Sequence, residues 1–484
     1  MLQSLWFVLL ASVLLPPAGL VLLWLRSGIR VKDKVFGSTV IAVWSVAYLM
    51  FFFGLRFPLD GSGMRPIPTF GTRESHYSQL ERSRKQPPDV VEAAATPAAV
   101  TPGSAYWTDF RGPKRDGRYD QAPIRADWPA KGLPLVWRQP IGGGYASFVI
   151  AGGRAFTIEQ RRRQEAATAY DLATGHELWA NSWDAEFQEA MGGDGPRATP
   201  TWNDGRVYAL GATGELRCLD AATGKPIWSR NILKDARAEN LTWGMSSAPL
   251  IVDEKVIVLP GGASGQSVAA YHKLTGEPVW KSLDDKQAYT SPMLVTLAGK
   301  RQILVVSAKR IVGLTVENGS VLWEYPWTTE FDINSAQPLI LGDNRVFISA
   351  GYDHGSALLE IAPAGVKQIW ANKRMKNKFT SSVLYEGHIY GLDEAILACI
   401  NAETGELKWK GGHYGYGQVL LAGGNLLVTT ETGDVVLVKA TPRSHQELAR
   451  FHAVSGKTWN HPAISDGLLL VRNETEMACF RIGL

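Results

Sequence analysis

A ten-residue phrase that ends in tryptophan recurs along this chain. "YDLATGHELW" occupies residues 170–179, and related phrases occupy 219–228, 271–280 and 400–409. They share the pattern D-x-x-T-G-x-x-x-W, with drift at each position. Self-similarity at a regular interval is the signature of repeat architectures, in which each copy forms one supersecondary unit. The phrase therefore constrains the fold more than any bulk property does.

Weaker copies extend the repeat to eight. The copies at 314–323 and 359–370 lack the Thr-Gly pair, and "LPLVW" and "QELARF" keep only the end of the phrase. The aromatic positions that close the copies are Trp137, Trp179, Trp228, Trp280, Trp323, Trp370, Trp409 and Phe451. A period of about 45 residues, with a turn and a β-rich run in each copy, is typical of four-stranded propeller blades. We predict an all-β fold, an eight-bladed β-propeller of four-stranded antiparallel blades.

The phrase has a structural interpretation. Asp171 is expected to accept local backbone N–H groups, and Gly175 to adopt a positive φ, in the turn between the third and fourth strands of a blade. Trp179 then begins the outer strand and packs against the next blade. A ring of blades has no single core, so each seam needs its own seal, and a tryptophan buries about 200 Å². We interpret the eight aromatic positions as docking residues, not as a ligand site.

The two ends of the predicted propeller are complementary. Residues 457–484 provide about three strands and lack the tryptophan phrase, whereas "LPLVW" provides an outer strand without the three strands before it. Together they are expected to complete the eighth blade, with residues 135–138 as its outer strand. A ring closed in this way has no open sheet edge.

The N-terminus is apolar. Residues 1–25 carry no charge, and a second uncharged run covers 36–55. Because about 20 apolar residues cross a bilayer, we predict two transmembrane helices, at about 5–25 and 36–55, in a membrane anchor over 1–58. The basic connection "RSGIRVKDKV" should remain in the cytoplasm. This predicts an inner-membrane protein with its propeller in the periplasm. A cleaved signal peptide would need a basic start and a small-residue cleavage site, and neither is present.

Composition changes between the anchor and the repeats. Residues 59–105 are first polar and then rich in Ala, Thr and Pro, a composition that cannot bury a core. We predict a flexible Pro/Ala-rich linker over 59–105 and a propeller over 106–484.

Bulk charge and motifs exclude several kinds of chemistry. The chain has 484 residues, with 50 basic and 46 acidic side chains and a net charge of +4, which does not suggest a nucleic-acid partner. The chain contains no C-x-x-C, no H-E-x-x-H, no calcium loop and no phosphate-binding loop, so we predict no metal site. Cys218, Cys399 and Cys479 occupy one position of the third strand in three blades, where they serve as small buried residues.

The most plausible ligand site is one mouth of the central channel. The innermost strands begin with related short motifs, among them "YASF", "RATP", "YTSP" and "WNHP". We predict a ring of small polar side chains there, with Arg197 and His461 close by, and the ring residues are Ser147, Thr199, Ser247, Ser291, Ser335, Ser381 and Asn460. These groups either bond to backbone and ordered water where the blades converge or hold a small polar ligand or a partner loop.

The repeat resembles the tryptophan-docking motif of the PQQ-like (quinoprotein-type) eight-bladed propellers. This family includes dehydrogenases that depend on pyrroloquinoline quinone (PQQ) and non-enzymatic members such as the outer-membrane assembly factor BamB. The segment "WTDFRGPKRDGRYD" at 107–120 also resembles the W-x-x-F-R-G-P-x-R-x-G lead-in of membrane-associated members. The resemblance covers about residues 107–484 and implies the fold more strongly than the function.

The resemblance leaves two functional hypotheses. The first is a non-catalytic, BamB-like scaffold, tethered to the inner membrane and binding protein or cell-envelope partners, with no cofactor. The alternative is a quinoprotein dehydrogenase that oxidises an alcohol or a sugar with PQQ and calcium. Dehydrogenases of this family carry two adjacent cysteines over the quinone, and this sequence has none. Their calcium ligands and catalytic aspartate match no motif here either. We therefore favour the scaffold.

Overall fold

The computed structural model describes residues 5–55, 57, 73–85, 105–189 and 191–484. It divides into two compact units, Met1–Ser78 and Gln79–Leu484.

The described residues of the N-terminal unit form the helices α1 (Leu5–Leu14), α2 (Pro16–Leu25) and α3 (Val31–Phe53), and the start of a further helix that is given below. Among the described residues, α3 is the one helix long and apolar enough to cross a membrane, and it covers most of the second predicted span. The first predicted span, over about 5–25, is not the single transmembrane helix that we predicted. The helix is interrupted at Leu15, and the segment forms two ten-residue helices. Each is about 15 Å long, half the thickness of a bilayer core. Proline at the first position of α2 favours a new helix start.

Part of the predicted linker is helical. Helix α4 (Arg73–Lys85) lies inside the segment that we expected to be flexible. The remaining linker residues, 59–72 and 86–104, lie outside the described residues.

The second unit is a propeller of eight sheets, as the sequence predicts. Two strands precede the first blade, β1 (Arg118–Tyr119) and β2 (Leu135–Pro140). Blades 1 to 4 contain, in order, β3 (Val149–Ala151), β4 (Arg154–Arg161), β5 (Gln164–Asp171) and β6 (Glu177–Asp184); β7 (Thr201–Asn203), β8 (Arg206–Leu210), β9 (Glu215–Asp220) and β10 (Pro226–Asn231); β11 (Leu250–Val252), β12 (Lys255–Val258), β13 (Val268–His272) and β14 (Pro278–Ser282); β15 (Met293–Leu297), β16 (Lys300–Val306), β17 (Arg310–Leu314) and β18 (Val321–Pro326).

Blades 5 to 8 follow the same plan. They contain β19 (Leu339–Leu341), β20 (Arg345–Ala350), β21 (Gly355–Ala362) and β22 (Gly365–Asn372); β23 (Val383–Tyr385), β24 (His388–Asp393), β25 (Ile396–Asn401) and β26 (Leu407–His413); β27 (Gln418–Ala422), β28 (Asn425–Thr429), β29 (Asp434–Lys439) and β30 (Glu447–His452); β31 (Ala463–Ser465), β32 (Leu468–Arg472), β33 (Glu476–Arg481) and β2. A short helix, α5 (Ile232–Ala236), and a 3-10 helix, Glu330–Asp332, lie in connections between blades. The first strands of the blades line the central channel, and several contact each other across the seams, as β3 does with β7 and β31 and as β23 does with β27.

The closure predicted from the sequence is confirmed. Strand β2 pairs antiparallel with β33, with Trp137 opposite Cys479, and supplies the outer strand of blade 8. Strand β1 adds a fifth strand to blade 7, because it pairs parallel with the innermost strand β27.

The repeated phrase forms the turn between the third and fourth strands. Asp171 Oδ1 accepts the Thr174 backbone N–H at 2.9 Å and the Thr174 hydroxyl at 2.8 Å. Gly175 has a φ of 72°, and a Cβ there would lie 2.6 Å from the Trp137 ring. The tryptophan of one blade therefore lies against the glycine of the next.

The docking tryptophans also form hydrogen bonds across the seams. Six donate their indole N–H to a main-chain carbonyl in the turn of the next blade, namely Trp137, Trp179, Trp228, Trp280, Trp370 and Trp409. Trp323 instead donates to Gln302 of its own blade at 2.6 Å. Phe451 has no N–H and contacts Trp128 and Phe480.

The three cysteines lie opposite docking tryptophans in the strand register, in blades 2, 6 and 8. All three are buried and free. Burial raises the pKa of Cys218 and that of Cys399 to about 11, so these thiols are unreactive at neutral pH.

Candidate binding site at the mouth of the channel

All eight innermost strands begin at the same end of the channel, which we call the upper mouth, and end at the lower mouth. When the starts of these strands are aligned, the corresponding residue often precedes a proline, as Thr199, Ser291 and His461 do. This register identifies the groups that face each other across the seams.

Small polar side chains join each blade to the next below the upper mouth. The Ser147 N–H donates to Thr199 Oγ1 at 2.9 Å, and the Ser291 N–H donates to Gln337 Oε1 at 2.7 Å. Gln418 donates to a main-chain carbonyl of the connection on either side of it, Phe379 at 3.2 Å and Trp459 at 2.9 Å. We call this circle the polar belt, and its members are Ser147, Thr199, Thr201, Ser291, Gln337, Ser381, Gln418 and Asn460.

The polar belt differs from the predicted ring in four blades: blade 7 contributes Gln418, where no residue was predicted, blade 2 adds Thr201, and blades 3 and 5 use other groups. In blade 5, Gln337 rather than Ser335 bonds to both neighbours, through Ser291 and Ser381. In blade 3 the backbone N–H of Ala248, not the side chain of Ser247, donates to Ser291. The motifs "NSAQP" and "SSAP" each offer several small polar residues, and only the register with the following proline separates them.

The remaining predicted site residues divide by exposure. Asn460 is buried and donates to the carbonyls of Gly144 and Ala146 at 3.1 and 3.0 Å. His461 is buried against Phe110, and burial, together with nearby Arg111, lowers its pKa to about 3. It is therefore neutral. Arg197, by contrast, is half-buried at the upper mouth.

Above the polar belt lies a collar of aromatic side chains. Each of the eight connections between blades supplies one ring, and blade 5 adds a ninth. We call this set the aromatic collar, and it consists of Tyr145, Phe187, Trp243, Tyr289, Phe331, Tyr352, Phe379, Tyr416 and Trp459. The rings of Phe379 and Trp459 are 4.5 Å apart, although their connections lead into blades 6 and 8, which are not neighbours. The collar therefore converges towards the channel axis.

Three cations lie over the rings of the collar. Arg197 is 4.6 Å from the centre of the Phe187 ring, and Lys378 is 4.5 Å from that of Tyr416. Lys457 is 4.3 Å from the Trp459 ring. Burial lowers the pKa of both lysines, and nearby carboxylates oppose this. Cations at such distances are attracted by the negative faces of the rings.

Carboxylates accept the polar edges of the same rings. Glu474 accepts the Tyr145 hydroxyl at 2.5 Å, and Glu394 accepts that of Tyr416 at 3.1 Å. Glu431 accepts the Trp459 indole N–H at 2.9 Å. The upper mouth thus combines apolar ring faces with charges of both signs, which suits a ligand or partner that has apolar and polar groups.

The lead-in segment, residues 107–119, closes the channel beneath this surface. Arg111 donates to the carbonyl of Ser382 in the connection into blade 6 at 2.8 Å. Arg115 donates to the carbonyls of Pro249 and Pro292, just before the inner strands of blades 3 and 4, and pairs with Asp109 at 2.9 Å. Both arginines are buried. The upper mouth is therefore a basin with a floor and not the opening of a through-channel.

A quinone held with calcium would need clustered oxygen ligands beside an aromatic platform. The collar offers platforms, but within the described part of the chain no three His, Cys, Asp or Glu side chains converge in a way that could hold a metal ion. The cysteines lie in three separate blades and cannot form an adjacent pair. The residues present do not fit a calcium–quinone site of the kind that the resemblance implies.

Sequence reasoning missed the aromatic collar. A usable signal was present, since an aromatic residue stands two positions before the belt residue at Tyr145, Tyr289, Phe379 and Tyr416. The buried roles of Arg111 and Arg115 had no such signal, because their acceptors are main-chain carbonyls far away in the sequence.

Comparison with known proteins gives the same fold. The chain matches the family model described as "Outer membrane protein assembly factor BamB" over residues 162–411, just over half of its length. It is 22% identical over 366 residues to the outer membrane protein assembly factor BamB of Bordetella pertussis, covering 67% of this chain and 92% of that protein. The crystal structure of BamB from Moraxella catarrhalis superposes with a TM-score of 0.53 at 16% identity, covering 72% of this chain and 98% of that one.

A second match is local and is to a dehydrogenase. The chain is 35% identical over 121 residues to the quinohemoprotein alcohol dehydrogenase ADH IIB of Pseudomonas putida. The match covers 23% of this chain and 16% of that dehydrogenase.

Proposed function

The chain belongs to the family of the outer membrane protein assembly factor BamB, and from this we propose that it is a non-catalytic scaffold. In this proposal the propeller stands in the periplasm, tethered to the inner membrane through α3, and binds a protein partner of the cell envelope at the upper mouth. The B. pertussis relative supports a role in assembly, because its name describes an assembly factor.

The aromatic collar is the observation that carries the proposal. Aromatic side chains and arginine dominate the energetically important centres of protein interfaces. Here nine rings and three cations surround one basin. Every connection between blades supplies one ring, and blade 5 supplies the ninth. A surface contributed by all eight blades is also rigidly positioned by the polar belt below it.

Phe331 is the most exposed ring of the collar, and its backbone is left-handed. Its side chain is 67% exposed, and its φ is 64°. Asp332, Tyr352 and Asp353 also have positive φ values, between 54° and 59°, and the Phe331 and Tyr352 rings meet edge to face at 6.0 Å. Left-handed backbone costs a bulky residue about 1–3 kcal/mol, and such strain clusters at functional sites. The backbone strain supports a binding role for Phe331 and Tyr352.

The scaffold proposal is tested by site-specific photo-crosslinking in intact cells. A crosslinking amino acid at position 331 should capture one discrete protein, to be identified by mass spectrometry. The matched control is position 178, because Leu178 is also exposed, at 46%, but lies on an outer strand. Capture of the same products at both positions, or of none at 331, would contradict a partner at the upper mouth.

The local match to a quinohemoprotein alcohol dehydrogenase supports the second candidate, a quinoprotein dehydrogenase that acts on an alcohol or a sugar. We expect no dye reduction when the purified protein receives PQQ, calcium and short alcohols or aldoses. Turnover that disappears when PQQ is omitted would overturn the scaffold in favour of the dehydrogenase.

A further inference from the structure

The lower mouth contains a cavity of about 450 Å³, between the lead-in segment and the inner strands of blades 3 to 6. Its volume lies in the range of about 300–1,000 Å³ that is typical of small-molecule sites. We call it the lower socket. The buried arginines of the lead-in segment separate it from the upper mouth, so it is independent of the function proposed above.

One wall of the lower socket is aliphatic. Blades 3, 4, 5 and 6 each contribute one side chain that is not fully buried, namely Ile251, Leu294, Ile340 and Leu384. Leu294 is 37% exposed, although it lies on an innermost strand. Apolar surface left in water is unfavourable, so this wall suits an aliphatic ligand.

The other side of the channel floor is filled by the chain itself. Trp107 of the lead-in segment is completely buried, and β1 pairs with the innermost strand of blade 7. The lead-in segment thus covers one side of the lower mouth and leaves blades 3 to 6 open. This asymmetry creates the socket.

The opposite wall is charged, with three basic and two acidic side chains. Arg115 is paired with Asp109 at 2.9 Å, and Arg118 lies 3.4 Å from Asp120 outside the socket. Asp116 accepts the Arg118 backbone N–H at 3.1 Å. Lys114 is exposed and makes no ion pair within the described ranges of the chain. It is the basic group available to a ligand.

We propose that the lower socket binds an amphiphile with an aliphatic chain and an anionic head group. The chain lies against Ile251, Leu294, Ile340 and Leu384, and the head group lies beside Lys114. The aliphatic wall selects the tail by exclusion of water, and the exposed ammonium group of Lys114, which forms no salt bridge with the carboxylates of the wall, attracts the head group. A free fatty acid and an anionic membrane lipid share this chemistry.

The test is photo-labelling of the full chain in membranes with a diazirine-bearing dodecanoate, followed by peptide mapping. Adducts should lie on β15 and β19. Leu294→Trp fills the socket and should abolish labelling there, whereas Leu178→Trp on an outer strand should not. Thr296→Trp, at an exposed lining position, is the second filling variant if Leu294→Trp does not fold.

The head group is tested with the corresponding alcohol and with Lys114→Glu. The acid should label the socket more than the alcohol, and Lys114→Glu should remove that preference. Competition by phosphatidylglycerol vesicles or by free dodecanoate then identifies the source of the ligand. Labelling that survives both filling variants overturns the site, and equal labelling by acid and alcohol overturns the anionic head group.

Discussion

The indole Nε1 of Trp228 donates a hydrogen bond to the main-chain carbonyl of Lys273 at 2.9 Å, and so joins the outer strand of blade 2 to the turn of blade 3. The same ring lies against Gly276, where an added Cβ would come within 2.7 Å of it. Glycine is therefore required twice at that turn, for its φ of 72° and for the approach of the ring. The repeated phrase contains both partners because each copy receives one tryptophan and supplies another.

Replacing this tryptophan should weaken the seam. We expect Trp228→Ala to destabilise the propeller by about 3–5 kcal/mol, as truncation of large core side chains does, and to lower the Tm measured by circular dichroism. Ile227→Ala is the control, because the neighbouring Ile227 is 46% exposed. An unchanged Tm for Trp228→Ala would remove the seam-sealing role.

Arg115 should contribute as much to the stability of the propeller as a core residue does. Its removal leaves the Pro292 carbonyl without its donor, leaves the Pro249 carbonyl with the Thr201 hydroxyl alone, and leaves the Asp109 carboxylate without its ion-pair partner. Breaking a buried ion pair from one side costs about 3–5 kcal/mol, so Arg115→Ala should lower the Tm strongly. Lys114→Ala, one position earlier and exposed, should leave it unchanged. Equal effects of the two substitutions would contradict the role of Arg115 in closing the channel.

Glu165 should make stability depend on pH. It is buried between blades 1 and 2, where it accepts the Ala212 N–H at 2.9 Å and the Trp183 indole N–H at 3.1 Å. Burial raises its pKa from 4.5 to about 7. The folded state then holds the proton more tightly than the unfolded chain. The stabilising contribution is complete below pH 4.5 and is lost as the pH rises through about 7.

Glu165→Gln should therefore gain stability relative to the wild type between pH 5 and pH 8, by up to about 3 kcal/mol. The comparison uses the difference in stability between the variant and the wild type at each pH, because His461 also makes stability depend on pH. Burial lowers the pKa of His461, so its contribution to stability is lost as the pH falls. Glu277→Gln at an exposed turn is the matched control. A difference in Tm that is independent of pH would rule out a raised pKa at Glu165.

The membrane topology follows from the charges before α3. Arg26, Arg30, Lys32 and Lys34 precede or begin this helix, against one acidic residue, Asp33, so its N-terminal end should remain in the cytoplasm. A reporter active only in the periplasm should be active when fused after Gly61, which lies outside the described residues. Activity of a cytoplasm-only reporter at the same junction would invert the topology and the proposed location of the propeller.

The fold could be predicted because its signals are local. A ten-residue phrase specifies one turn and one seam contact, and eight copies specify the ring; even the closing strand could be placed from Trp137. Residues that meet only after the ring closes could not be placed in this way. Phe379 and Trp459 lie 80 positions apart, and nothing in their local sequence predicts that their rings touch.

Two errors have equally physical causes. Ser335 and Gln337 are both polar and stand two positions apart in the connection before β19, and composition alone does not say which one reaches the seam. The uncharged run over 5–25 satisfies a length criterion, but Pro16 starts a second helix and divides the run into pieces that are too short to span a bilayer.

The pairing of β2 with β33 also determines when the molecule becomes complete during synthesis. These two strands stand near opposite ends of the propeller sequence, so their contact has the largest loop to close. Until the last residues have emerged from the ribosome, β2 has no partner and blade 8 exposes unpaired strand edges, which are prone to aggregate. A chain that stops before Glu476 would keep most of its blades and remain permanently open.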